Sequence, residues 1–485
     1  MKLVNCKENM TMLMDFYELT MSNGYFEHNL KDKIVCFDMF FRKIPDNGGF
    51  AVMAGLEQFI DYVRSLEFDE EDINYLRSKN LFCEEFLDYL KNFRFTCDVY
   101  AVPEGTPIFP GEPIIKVVGP IIEAQLIETM LLLTINHQCL IATKSNRIVR
   151  AAKGRPVMEF GSRRAQGNTG ATLGARASYI AGCAGTACTL SDRLYKIPAL
   201  GTMAHSWVQL FPTEYDAFMA YAKTYPESCT LLIDTYNVIN SGLPNAIKVF
   251  KEYLIPRGYT NGGVRIDSGD IAYLSSKVRK ILDDEGLTNI KIVASNSLDE
   301  YIIRDLIHQG AAIDSFGVGE RLITSKSEPV FGGVYKLVSV YDENGNEIPK
   351  IKLSENISKI TTPCNKKVVR FYSKENDKAI ADLLMCEDEP LPDGSDYEIF
   401  DPEHTWKTKT VTNYYIRELL TPIFKNGECV YTSPEIAEIR SYCLSQIDGL
   451  WDEVKRFENP HNYYVDLSEK LWNIKNKLLN EHKTK

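Results

Sequence analysis

Residues 262–297 read GGVRIDSGDIAYLSSKVRKILDDEGLTNIKIVASNS, a complete strand–helix–strand pattern. The runs GGVRID and IKIVAS are rich in β-branched residues, as strands are. Between them Ile271, Leu274, Val278, Ile281 and Leu282 recur at helical spacing over 270–285. Each strand ends in short polar residues, DSGD and SNS. Working outward, further apolar runs follow at a regular pitch: PVMEF (156–160), IPALGTMA (197–204), TLLID (230–234) and IDSFGVG (313–319). Asp299 is placed to cap a helix with Ile302, Ile303, Leu306 and Ile307 inward, which Gly310 would end. Alternating strands and helices imply a parallel sheet with right-handed crossovers. Six such units with polar tips predict an α/β protein built on a β/α barrel rather than an open sheet, with its site at the C-terminal strand ends. No GxGxxG follows the first strand, which disfavours a dinucleotide-binding sheet.

The flanks have a different texture. Residues 9–25 space Met12, Phe16, Leu19 and Met21 as an amphipathic helix that Asn23-Gly24 would end. IVCFDMFFR (34–42) reads as a strand. Residues 48–63 turn into a helix, 69–93 look helical and acidic, and 96–118 carry short strands between prolines and glycines. A long helix is expected over 124–152. Three segments follow: an N-terminal α+β layer (1–125), a catalytic barrel (126–340) and a C-terminal segment (341–485) expected to complete the N-terminal layer. Within the last, Lys350, Lys352, Lys359, Lys366 and Lys367 form a basic stretch, facing either an anion or solvent. Residues 377–401 read as an acidic loop, and 433–450 and 465–482 as helices.

Bulk properties narrow the function. A net charge of −11 over 485 residues argues against a broad nucleic-acid surface. The best membrane-span candidate, 126–142, is interrupted by Glu128, Asn136, His137 and Gln138. The start, MKLVNCKENM, lacks the apolar core of a signal peptide, so a cytoplasmic protein without a membrane partner is expected. Twelve cysteines without CxxC pairs read as reduced packing residues, and no His/Cys group has zinc-ligand spacing.

The strand ends carry the chemistry. His205, closing IPALGTMA, offers a nitrogen nucleophile that works near neutral pH; alone it reads as a partly buried packing residue. Glu159-Phe160-Gly161 with Arg163 and Arg164 places a flat ring beside two guanidiniums suited to carboxylate or phosphate. The following small-residue run, 167–189, either lets backbone amides approach an anion or packs as a helix. Asp234 could orient His205 through a ring nitrogen. Arg265, Asp267 and Asp270 sit on one tip. The two carboxylates could take ribose hydroxyls or Mg2+, or Asp270 could cap the next helix. Ser295 and Asn296 are short donors, and Gly317 and Gly319 open an anion-favouring turn. Together these tips suggest a phosphorylated sugar, Mg2+ and a flat anionic ring around a histidine.

The motifs MDFYELTM (14–21), EFGSRRAQG (159–167), GTMAHSW (201–207), DTYN (234–237), VRIDSGDI (264–271), GVGERLITS (317–325), FGGVYKL (331–337) and KLSENISKIT (352–361) resemble those of the nicotinate phosphoribosyltransferase family, in the family's order. The resemblance implies an N-terminal layer packed with an irregular β/α barrel, in a homodimer with sites at the subunit interface. It implies that nicotinate attacks phosphoribosyl pyrophosphate to give nicotinate mononucleotide and pyrophosphate, a first step toward NAD. ATP hydrolysis would drive this through a phosphohistidine, which makes it a ligase-type reaction. It implies that His205 is phosphorylated and oriented by Asp234, and that Asp267 acts with it. Phe160 would stack on the pyridine ring, with Tyr17 of the neighbouring subunit on the other face and Asp15 nearby. Arg163 would sit beside the ring or its carboxylate. Arg265 and Asp267 would handle phosphate and ribose, and Ser295, Gly317 and Gly319 the 5′-phosphate. Nicotinamide-using relatives carry an aspartate at the place of Ala187, so the alanine favours nicotinate. Glu320 and Cys364 depart from the family pattern, which often has a small hydroxyl residue and a glycine there. The alternatives are a nicotinamide phosphoribosyltransferase and a non-catalytic sensor of phosphoribosyl ligands.

Overall fold

The computed structural model describes residues 9–356 and 359–482. The opening of the chain (1–8) and Ile357 and Ser358 within KLSENISKIT lie outside the described residues. The chain forms two compact units. One joins everything up to Leu140 with everything from Val330 onward, and the other is Ile141–Pro329. The texture boundaries at 125 and 340 mark changes of pattern; the compact units change over at Leu140 and Pro329.

In the first unit both arms of the chain build one sheet. Its seven strands lie in the order Glu347–Pro349, Gly333–Tyr341, Ile34–Phe41, Ile115–Pro120, Asp98–Ala101, Thr421–Lys425 and Glu428–Cys429. All neighbours are antiparallel. Glu347–Pro349, Thr421–Lys425 and Glu428–Cys429 of the C-terminal segment lie in the same sheet as strands of the N-terminal layer. Ile34–Phe41 is central and buried along nearly its whole length, which is why it reads as a continuous apolar run rather than an alternating one. Its one charge, Asp38, is 2 % exposed and pairs with the equally buried Lys366 at 2.6 Å. Helices Leu56–Arg64, Glu70–Ser78 and Glu84–Lys91 contribute Phe59, Leu76 and Phe86 to the same core.

The first helix runs Phe16–Glu27, straight through Asn23-Gly24. The expected stop fails because Asn23 donates to Glu27 one turn on, at 2.7 Å. Toward the C-terminus, Val465–Leu467 is a strand parallel to Ala379–Cys386, and the helix begins only at Glu469. Ser468 ends the strand and caps that helix, accepting from Leu471 N–H. The run Ile121–Ala151 is apolar and long enough to cross a membrane by composition, contrary to the sequence expectation. It is 67 % buried over its most apolar window, as a core helix is.

The second unit holds the parallel sheet. Its strands lie in the order Gly185–Thr186, Val157–Glu159, Ser315–Val318, Lys291–Asn296, Gly263–Ile266 and Thr230–Leu232. Every ladder is parallel. Leu231, Leu232, Val264, Ile266, Ile292, Ala294, Phe316 and Val318 fill its interior. Asp270 caps Ile271–Asp284 and Asp299 caps Glu300–His308, as their positions in the sequence predict.

IPALGTMA is the exception. It touches the sheet through a single parallel bridge, Thr186 to Ala199. Pro198 has no N–H to extend a ladder, and beyond Leu200 the chain leaves the edge. His205 therefore does not end a strand. It opens a short helix, His205–Leu210.

Candidate active site

Arg265 organises the strand ends of the second unit. Its Nε donates to Ser295 Oγ at 2.8 Å, Nη2 to Asp267 Oδ1 at 2.9 Å, and Nη1 to Thr202 Oγ1 at 2.9 Å and the Met203 carbonyl at 3.3 Å. The irregular segment before His205 is thus tied to the tips of two neighbouring strands. Ser295, 3 % exposed, donates its hydroxyl to Asp267 Oδ1. Both residues were expected to meet phosphate or ribose. In this structure Arg265 and Ser295 fix Asp267, and Arg265 also fixes the approach to His205. Burial raises the Asp267 carboxyl, but the hydrogen bonds from Ser295 and Arg265, then the charges of Arg265 and His205, outweigh it. The net result lies below the usual aspartate value.

His205 is partly exposed, with Nε2 3.9 Å from Asp267 Oδ2. Its other nitrogen, Nδ1, lies 3.1 Å from the Thr235 hydroxyl. The expected orienter, Asp234, is engaged elsewhere: its Oδ2 accepts from Asp267 N–H at 3.0 Å and Ser268 Oγ at 2.6 Å. Asp234 thus shapes the tip that carries Asp267. The residue sequence reasoning missed is Thr235, its neighbour in DTYN. A threonine at a strand tip was the available signal, but the partner lies 30 residues away in sequence. Asn237, at the end of the motif, caps the next helical turns through Ile239 and Asn240 N–H.

Phe160 follows Val157–Glu159, and the Arg265 guanidinium lies 5.8 Å from its ring centroid. Gly317 makes room for that ring, since a Cβ there would meet Phe160 Cδ2 at 2.6 Å. A Cβ on Gly319 would come within 3.2 Å of the Phe160 carbonyl oxygen. Gly317, one of the two glycines expected to hold phosphate, thus also leaves room for Phe160, and Gly319 passes close to its backbone. Arg163 and Arg164 lie exposed on the turn Ser162–Arg164. The small-residue run forms helix Gly167–Ile180, the packed alternative. Beneath Phe160, Glu159 accepts from Thr186 Oγ1 at 2.6 Å and from Gly161 N–H. Burial, only partly offset by these bonds, raises its carboxyl. Ala187 is exposed just past Gly185–Thr186, its N–H bonded to the Glu159 carbonyl at 2.8 Å.

Glu320 turns away to Lys326 at 2.7 Å, so its charge is answered locally. Cys364, in the first unit, has φ = 75°, the left-handed region that favours glycine. Lys366 of the basic stretch is buried against Asp38, and it also donates to the Thr362, Pro363 and Cys364 carbonyls at 2.9, 3.1 and 2.7 Å. Lys367 reaches the Glu387 and Glu389 carbonyls. Lys366 is thus held by an internal carboxylate and backbone carbonyls, and Lys367 by backbone carbonyls.

Asp15 and Tyr17 belong to the first unit. Asp15 precedes helix Phe16–Glu27, with its N–H shared between Glu18 Oε1 at 3.3 Å and Thr129 Oγ1 at 3.1 Å. Tyr17 is 43 % exposed, beside Leu13, Phe16 and Met21, which are exposed as well.

Among the described residues, one oxygen of each of three carboxylates near the strand ends accepts no protein hydrogen bond: Asp234 Oδ1, which is buried, Asp267 Oδ2 and Asp270 Oδ2. Hard, unspent oxygens of this kind suit Mg2+, which commonly takes one or two carboxylates and completes its shell with water and substrate phosphate. Asp270 also spends its Oδ1, on the cap of the next helix, accepting from Tyr273 N–H at 3.0 Å. Among the described residues no group of three His, Cys, Asp or Glu side chains is gathered for a metal.

Models of the nicotinate phosphoribosyltransferase N-terminal domain, family domain and C-terminal domain match residues 12–136, 156–384 and 365–475. A nicotinate phosphoribosyltransferase of Bacillus subtilis (strain 168) is 41% identical over 478 residues, 99% of this chain and 97% of the relative. The chain belongs to the nicotinate phosphoribosyltransferase family. The Homo sapiens nicotinate phosphoribosyltransferase is 30% identical, with 96% of each chain covered. The crystal structure of human nicotinic acid phosphoribosyltransferase superposes with a TM-score of 0.83 at 28% identity, covering 96% of this chain and 100% of that one. A nicotinate-nucleotide pyrophosphorylase from Pyrococcus furiosus follows, with a TM-score of 0.71 at 25% identity, covering 93% and 98%. Within this nicotinate phosphoribosyltransferase framework, the parallel sheet lies in the stretch matched by the family domain, which also takes in Gly333–Tyr341 and Glu347–Pro349 of the seven-stranded sheet; the other five strands of that sheet fall in the N- and C-terminal domain matches.

Proposed function

We propose that this protein is an ATP-coupled nicotinate phosphoribosyltransferase. It converts nicotinate, phosphoribosyl pyrophosphate, ATP and water to nicotinate mononucleotide, pyrophosphate, ADP and phosphate, an entry into NAD synthesis. The observation that carries the reading is the cluster at the strand ends: His205 facing Asp267, with Arg265 bonded to Asp267 and to the segment before His205 and lying over Phe160.

Phe160 offers its face to the pyridine ring, and Arg163 on the next turn offers a fork to the ring carboxylate. Tyr17 and Asp15, from the partner subunit of a homodimer, would close the opposite side. The bond to the departing pyrophosphate breaks with positive charge developing on the ribose, and Asp267 is the carboxylate best placed to balance it. Mg2+, held by Asp234 and Asp267 together with substrate phosphates, would supply charge neutralisation for the leaving group. His205 carries the phosphoryl group from ATP, and the added negative charge changes the affinity of the site for substrate and product. Gly317 and Gly319 hold the wall that Phe160 leans on; the 5′-phosphate end of the substrate would lie beside Ser295.

Ala187 favours nicotinate over nicotinamide. A carboxylate at that exposed tip would repel the acid and suit the amide, whereas alanine does neither. The deciding experiment incubates the enzyme with γ-labelled ATP, Mg2+ and phosphoribosyl pyrophosphate, with nicotinate or nicotinamide, using wild type and His205→Ala. Acid-labile label on wild type alone, with mononucleotide formed from nicotinate, is the expected result. Mononucleotide without label would remove the phosphohistidine. Product from neither base would leave a ligand sensor.

A further inference from the structure

We propose that the first unit carries a second ligand site, a cleft lined by residues of 401–409 and 456–466 that binds a nucleotide. The base it takes presents an N–H donor beside an acceptor, as adenine and a pyridine carboxamide do. The inference goes beyond the proposed reaction and uses none of its residues.

The cleft has a volume of about 950 Å³, within the range of small-molecule and cofactor sites. Asp466, on strand Val465–Leu467, lies at its buried end and is 4 % exposed. Among the described residues its carboxylate has no hydrogen bond or ion pair. A buried carboxylate without a partner is costly to keep, so the position calls for a donor. Lys409, on strand Thr408–Val411, is the other open group. Its ammonium lies 4.9 Å from the Trp451 ring centroid and 5.1 Å from that of Tyr464. Among the described residues no carboxylate pairs with it. Burial and then the Asp401 charge lift the Asp466 carboxyl to about 7, opposed by Lys409. Burial lowers the Lys409 amine, opposed by Asp466. Asp401, by contrast, is already answered. Its Oδ1 accepts from Glu403 and His404 N–H at 2.9 Å each, and Oδ2 lies 3.2 Å from His404 Nδ1 and 3.7 Å from Lys407 Nζ.

An acceptor and a donor are thus left open together. A base edge with an N–H beside a ring nitrogen or carbonyl answers both at once, donating to Asp466 and accepting from Lys409. Adenine does this through its exocyclic amine and N1, and a pyridine carboxamide through the two ends of its amide. Nicotinate does not: its carboxylate has no proton to donate and would meet Asp466 as a like charge. That preference is the reverse of the one proposed for the strand ends, so the cleft is not a second copy of that site. The exposed part of the lining suits a phosphate ester. Arg456 and Lys407 lie there, and among the described residues Arg456 has no protein partner. A guanidinium fork and an ammonium are the usual phosphate donors.

Lys409 supplies a local readout. The full-length protein is treated with an amine-acetylating reagent, and the peptide containing Lys409 is followed by mass spectrometry. AMP, nicotinamide mononucleotide and nicotinate mononucleotide are added in turn. Slower acetylation with AMP, with nicotinamide mononucleotide or with both supports the site and names the base; nicotinate mononucleotide is expected to leave the rate unchanged. In Asp466→Ala the concentration giving half protection should rise by about tenfold, the scale of a hydrogen bond to a charged group. Arg456→Ala is an exposed change that leaves the core alone, and it should raise that concentration by about threefold to tenfold. It keeps the test decisive if Asp466→Ala fails to fold. The proposal is overturned by equal protection from nicotinate mononucleotide, or by no protection up to about 1 mM nucleotide. Half protection unmoved in Arg456→Ala would overturn it as well. Acetylation needs no turnover, so the result stands apart from the proposed phosphoribosyl transfer.

Discussion

Glu18 shows how much chemistry a single buried side chain can hold. It is 0% exposed, accepts from Thr129 Oγ1 and Asp15 N–H, and leaves Oε2 without a donor. Burial, opposed by those bonds, lifts its carboxyl to about 7. The unfolded chain titrates it near 4.5. Between these values the folded protein binds more proton than the unfolded one, so the contribution of Glu18 to stability falls as pH rises. Glu18→Gln is expected to lose less stability than wild type between about pH 5 and about pH 8 in urea titrations. Equal losses would mean that Glu18 ionises freely in the fold. Gly317 offers a second test. Gly317→Ala pushes on the Phe160 ring, so KM for nicotinate should rise by about tenfold, a cost of one aromatic contact. Labelling of His205 should be unaffected; an unchanged KM would separate Phe160 from the base. At this scale the sequence was legible where partners are local. The caps at Asp270 and Asp299 bond two or three residues ahead and could be read directly. The partner of His205 could not, because Asp234 and Thr235 are adjacent and only the backbone turn between them decides which one faces the ring.

At the level of elements, strands were legible wherever β-branched runs ended in polar tips, as in 262–267 and 290–295. IPALGTMA failed because Pro198 denies the ladder a donor while the apolar pattern persists. Val465–Leu467 hid inside a helical pattern because three residues are too few to show a period. The central Ile34–Phe41 strand was plain, but its buried aspartate was unexplained until Lys366 was seen beside it. Removing one partner of such a pair strands the other charge in the core. Lys366→Met is therefore expected to destabilise by about 3–5 kcal/mol, and Asp38→Leu with Lys366→Met to recover much of that. Urea midpoints of the two variants check it. A single variant as stable as wild type would show that water reaches Asp38.

For the whole molecule, the charge argues against a broad nucleic-acid surface and the motifs carry the family resemblance, but no local pattern says which strands of the two chain ends pair in one sheet. That pairing is a matter of register between distant strands. The exposed stripe of Leu13, Phe16, Tyr17 and Met21 fits the homodimer expected of the family. Phe16→Glu should shift sedimentation toward the monomer and lower activity together, because Tyr17 would no longer reach a partner. A monomeric variant with full activity would place the whole site in one chain.

The shared sheet also sets the order of events at the ribosome. Ile34–Phe41 is hydrogen-bonded on one side to Ile115–Pro120 and on the other to Gly333–Tyr341. Synthesis at about 5–20 residues per second leaves that second edge unpaired for roughly 15–60 s while the intervening chain emerges. Ile141–Pro329 is complete before its host is. A nascent chain stalled before Gly333 would carry a finished parallel sheet and, elsewhere in the chain, an open, aggregation-prone strand, the point at which a chaperone is most needed.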